Sequence, residues 1–174
     1  MRSSRRRWVN VFLMLSLAAC TPSLNWRQAS LEGSGVTMLF PCRPERAERA
    51  VRVADAELRM RMHSCSAAGA VFSLAFVDIA QAARVAPVMD ALRSAAQANV
   101  GGTATARAWT APGATPNEHG ALLRIEGHRP DGRRVVEHVA LFVRGLRVYQ
   151  ATALGEQIDH DALDTFFDSI RVVV

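Results

Sequence analysis

Apolar residues recur along this chain at three spacings, and each spacing predicts a different element. The first is a near-continuous run. Residues 8–19 are apolar except for Asn10 and Ser16, and they follow the basic stretch Arg5-Arg6-Arg7. The second is alternation. Val36-Thr37-Met38-Leu39-Phe40 alternates and stops at Pro41, which predicts a strand. Residues 49–54 and 57–64 predict a hairpin about Asp55-Ala56, with Leu58, Met60 and Met62 on one face and Arg59, Arg61 and His63 on the other. Residues 71–78 are apolar on both faces and predict a central strand. The third spacing is helical. Val85, Met89, Leu92 and Ala96 share one face, Pro87 suits the first turn, and Gly101-Gly102 is a stop signal.

Beyond that helix, residues 103–110 predict a weak strand of small residues. Pro112, Gly113 and Pro116 mark a loop over 111–119. A meander follows, over residues 121–128, 133–143 and 146–153. A four-residue loop at Arg129-Pro130-Asp131-Gly132 sets Arg124 opposite Glu137, a favourable pair, and places His128 and His138 on opposite faces. The last helix has Asp159 as N-cap, Ile158 and Leu163 at staple positions, and Leu163, Phe166, Phe167 and Ile170 as its buried stripe. Arg171 onward adds a closing strand. The order predicts an α+β fold, an antiparallel β-sheet flanked by two main helices, in a single domain over residues 36–174.

The apolar run at the amino terminus belongs to export, not to the fold. At twelve residues it is shorter than the roughly 20 needed to span a bilayer. It ends in Leu17-Ala18-Ala19-Cys20, which resembles the cleavage box of bacterial lipoproteins. That resemblance implies a signal peptide over residues 1–19, cleavage before Cys20, and diacylglyceryl and acyl groups (palmitate among them) on Cys20. Thr21, in place of an Asp, implies the outer membrane with the domain facing the periplasm. Ser4-Arg5-Arg6-Arg7-Trp8-Val9 also resembles a twin-arginine signal, but the strongly apolar segment after it favours the general secretory route. Residues 20–35 then read as the lipidated Cys and a polar tether ending in Gly33-Ser34-Gly35, with a reach of up to about 50 Å. Trp26 suits either the membrane interface or one edge of the domain.

Processing changes the meaning of the charge. The chain of 174 residues carries +5, all of its basic residues are Arg, and its isoelectric point is about 10.3. Loss of residues 1–19 removes Arg2, Arg5, Arg6 and Arg7 and leaves +1, so the basicity is no sign of a nucleic-acid partner. Cys42 and Cys65 remain as an even pair in an oxidising compartment, which predicts a disulfide.

Phe40-Pro41 at the end of a strand, the Pro87 helix, Pro112-Gly113, Gly145-Leu146-Arg147-Val148-Tyr149 and the terminal Phe167-Asp168-Ser169-Ile170 together resemble the PsbP/DcrB-like fold. That resemblance covers about residues 35–174. It implies an antiparallel sheet flanked by helices, in envelope lipoproteins of unassigned function, and it carries no catalytic residues.

No nucleotide loop, GxSxG elbow or HExxH motif is present. The five histidines do not converge at metal-ligand spacing, so no metal is expected. His138 alternates with Val136, Ala140 and Phe142 on a face that should also hold Tyr149, and His138, Phe142 and Tyr149 are the candidate groove residues. The expectation is a non-catalytic binding or structural module, with no cofactor beyond the lipid on Cys20. Its partners would be the membrane, through the anchor, and an envelope protein or cell-wall component. Two alternatives stand beside it: a periplasmic carrier of a small apolar ligand, and a hydrolase using His138.

Overall fold

A computed structural model describes residues 23–129 and 131–173. It contains, in chain order, β1 (Arg27–Leu31), β2 (Val36–Phe40), β3 (Glu45–Val53), β4 (Ala56–Ala67), β5 (Ala70–Asp78), α1 (Val85–Val100), β6 (Thr103–Ala108), β7 (Ala121–His128), β8 (Arg134–Arg144), β9 (Arg147–Gly155), α2 (His160–Asp168) and β10 (Arg171–Val172). The fold is α+β. A seven-stranded sheet has the order β3-β4-β5-β9-β8-β7-β6, and a three-stranded sheet has the order β1-β2-β10. Every pairing in both sheets is antiparallel.

The centre of the large sheet is buried on both faces, which explains the near-continuous apolar character of β5 and β9. One face packs Val77, Leu123, Ile125, Val139, Leu141 and Val148 against Val88, Met89, Leu92, Ala96 and Val100 of α1. The other packs Phe72, Leu74, Phe76, Phe142 and Tyr149 against Met38 and Phe40 of β2 and Phe166, Phe167 and Ile170 at the C-terminal end. The two helices thus lie on opposite faces, and the small sheet shares the second face with α2. Gly101 ends α1 in the left-handed conformation at φ 59°. Immediately after it, Gly102 and Gly127 let backbone meet backbone: a Cβ on Gly102 would overlap the Glu126 carbonyl, and one on Gly127 the Val100 carbonyl.

Three expectations are corrected. The tether over residues 20–35 is too long, because residues 27–31 form β1, paired with β2 from Arg27↔Phe40 to Leu31↔Val36. Only Leu31 of β1 is fully buried, so its pattern is nearly all polar, but its backbone pairs as well as any other strand. Trp26 packs edge-on against Phe72 at 6.3 Å and so covers the edge of the core. The first hairpin turns one residue earlier than expected, at Ala54-Asp55, where φ is 47° and 60° and Val53 pairs with Ala56.

The third correction concerns register. The loop from β7 to β8 has five residues, so Glu137 faces Ile125 and Arg124 faces His138. The loop is closed by Arg129 N–H donating to Arg133 O at 2.8 Å, and the Asp131 carboxylate accepts from Arg133 N–H at 3.0 Å. A shift of one residue moves side chains to the other face. Glu137 therefore lies under α1, while His128 and His138 share a face.

Cys42 and Cys65 form a disulfide, with S–S 2.09 Å and Cα–Cα 6.0 Å. Cys42 follows β2 and Cys65 lies in β4, so the bond fastens the small sheet to the large one.

Candidate ligand-binding groove

The second face of the large sheet is wider than what covers it. The small sheet and α2 lie over β5, β9 and part of β8, and the same face of β6, β7 and the start of β8 is left beside α2. The result is an open groove of about 860 Å³. Its floor carries Thr105 and Arg107 from β6, Leu122 and Arg124 from β7, and Arg134, Val136 and His138 from β8. Its wall carries Ile158, His160, Leu163, Asp164, Phe167 and Asp168. Strand alternation accounts for the floor: Thr105 pairs with Arg124, which pairs with His138, and cross-strand partners share a face.

Leu122, Val136, Ile158 and Leu163 are only half-buried. They form an apolar strip along the groove, where solvent still reaches side chains that the core would otherwise exclude. Polar groups border the strip. Glu126 bridges Arg124 and Arg134, and these two hydrogen-bonded guanidiniums hold its carboxyl below the usual carboxylate range. Arg133 reaches Glu156 at 3.0 Å, and His160 reaches Asp164 one helical turn on at 3.0 Å. Among the described residues, Arg107 makes no ion pair, so it is the floor cation with no carboxylate of its own.

His138 sits in the middle of the floor, half-buried. Burial pushes its pKa down to about 4, helped by the Arg124 guanidinium and by His160 nearby. It is therefore neutral at pH 7, able to donate from one ring nitrogen and accept at the other. Among the described residues no Ser, Asp or Glu side chain hydrogen-bonds to it, and no group of three metal-ligating side chains is assembled.

Phe142 and Tyr149, expected in the groove, lie on the same face but outside it. They stack on each other at 4.7 Å between ring centroids, and Tyr149 Oη donates to the Ser34 carbonyl at 2.7 Å. The small sheet covers that part of the face, so both are core residues. Leu17, Ala18, Ala19 and Cys20 lie outside the described residues. Sequence alone did not mark Thr105, Arg107, Leu122, Arg134 or His160 as groove residues. An alternating polar position reads the same whether it faces open solvent or a groove built with a distant helix.

No protein-family model matches this chain, and comparison with curated proteins gives no match.

Proposed function

We propose that this protein is a lipid-anchored module of the bacterial envelope, held through Cys20 on the outer membrane and facing the periplasm, which binds its ligand without chemistry in the groove between α2 and strands β6–β8. The observation that carries the reading is the groove itself: an apolar strip flanked by cations on the floor and by carboxylates on the helix. Such a lining suits an extended amphipathic ligand, such as a cell-wall fragment or a segment of an envelope protein, better than a compact charged metabolite. The antiparallel sheet with helices on both faces supports the PsbP/DcrB-like reading. The disulfide supports an oxidising compartment.

A carrier of a small apolar ligand is the second reading, favoured by Leu122, Val136, Ile158 and Leu163 in one strip. A hydrolase needs a nucleophile or an acid beside His138, and its neutral ring, which has no side-chain partner among the described residues, offers little support for one.

Amide NMR of the mature protein, titrated with muropeptides and separately with a short-chain phospholipid, tests the groove. Shifts are expected at Thr105, Arg107, His138 and Leu163 with one of the two probes. Leu163→Trp, which fills the groove, is expected to weaken that binding about tenfold. Shifts confined to other surfaces with both probes would contradict the assignment.

A further inference from the structure

The described part of the fold begins close to Cys20 in sequence. Asn25 N–H donates to Pro41 O at 2.8 Å, and Trp26 packs on Phe72. Cys20 is three residues from Ser23 and five from Asn25, spans of at most about 10 and 18 Å in extended chain. The strand directions place this exit at one end of the large sheet. The same end carries the Ala68-Gly69 turn of the β4–β5 hairpin, the loop over 129–133 and the loop over 156–159. The last of these lines the groove through Glu156, Gln157 and Ile158, so the groove reaches this end of the sheet. The Gly145-Leu146 turn lies at the far end, and β8 alone, with its eleven residues, separates the two ends by roughly 34 Å. A tether of at most about 18 Å is shorter than that distance, so the end that carries the tether is the one kept near the membrane.

We infer that the end of the sheet carrying the Ala68-Gly69 turn and the 129–133 and 156–159 loops rests against the bilayer headgroups, with this end of the groove at headgroup level. This rests on the proposed acylation of Cys20. Charge at that end is mixed, Arg129 and Arg133 standing with Asp131 and Glu156, so the contact needs no anionic lipid and is imposed by the short tether.

The chain has no Lys, and acylation blocks the new amino terminus, so one introduced Lys supplies a unique amine. Ala68→Lys and Arg133→Lys place it at the near end, and Leu146→Lys, on an exposed side chain, at the far end. Each full-length variant, processed in cells and reconstituted into phosphatidylethanolamine vesicles, is treated with a short amine-to-amine crosslinker. The near-end lysines are expected to give about tenfold more lipid adduct than Leu146→Lys, given the length of the sheet. Equal labelling of the two ends, or more at Leu146→Lys, would overturn the placement. Intact mass of the same samples reads the acyl groups: an unmodified Cys20 would overturn the anchor itself, a different result from acylated protein labelled at both ends.

Discussion

Glu137 and His138 are neighbours in sequence, lie on opposite faces of β8, and depart from ordinary titration in opposite directions. Glu137 is 4% exposed beneath α1, its Oε2 has no partner among the described residues, and burial pushes its pKa up to about 7. Its proton is held in the fold after an unfolded chain would have lost it. Its contribution is therefore complete below about pH 4.5 and is lost as pH rises through about 7. His138, pushed down to about 4, does the reverse: between about pH 4 and 6.5 the unfolded chain takes the proton that the fold refuses, so stability falls as pH falls. His63, buried and also shifted down, has the same sign as His138. We expect Glu137→Gln to gain stability more steeply than wild type from pH 4.5 to 6.5, and His138→Gln less steeply, in urea titrations across that range. Identical slopes in all three proteins would show that neither group is shifted as the fold implies. The face of His138 is legible from its alternation with Val136, Ala140 and Phe142, but the β7 partners of Glu137 and His138 are not, because β7 and β8 are joined by five residues where the turn signals predict four. Hydrophobic alternation in Leu122-Leu123-Arg124-Ile125 tolerates either register, and the Arg129–Arg133 and Asp131–Arg133 contacts decide it.

At the scale of elements, the strongly periodic segments were legible: β2, β5, α1, β7–β9 and α2 stand within a few residues of where hydrophobic spacing predicts them. β1 was not. Arg27-Gln28-Ala29-Ser30 has no buried face to announce a strand, and its pairing with β2 is visible only once the small sheet is assembled. The groove was equally hidden, since its floor and wall come from residues far apart in the chain. The disulfide was legible from cysteine parity, and the structure adds what it holds. It closes a sequence separation of 23 between the exit of β2 and β4. Replacing both cysteines, Cys42→Ala with Cys65→Ala, should cost about 3 kcal/mol in urea unfolding while sparing ligand binding. Cys42 and Cys65 contribute nothing to the groove lining, and β4 is separated from β8 by β5 and β9. Unchanged stability would mean that the small sheet is held by its packing alone.

For the whole molecule, the proposed anchor and the groove are joined by a short stretch of chain. Arg2, Arg5, Arg6 and Arg7 carry four of the full chain's five excess positive charges, and cleavage before Cys20 would leave +1. On the proposed reading charge neither draws the domain to nucleic acid nor fixes it on the membrane, and acyl chains on Cys20 would do the holding: each buried methylene contributes about 0.8 kcal/mol, so two or more chains would give lasting attachment. With β1 counted as part of the fold, a domain acylated at Cys20 as proposed could not wander far from the bilayer, and the groove on its sheet would sample what lies just above the headgroups. Everything in this arrangement depends on Cys20. The most direct test is the intact mass of the protein extracted from membranes by detergent. A chain beginning at Cys20 is expected, lighter by residues 1–19 and heavier by a diacylglyceryl group and an amide-linked acyl chain. A chain that retains residues 1–19, or one cut elsewhere with an unmodified Cys20, would contradict it.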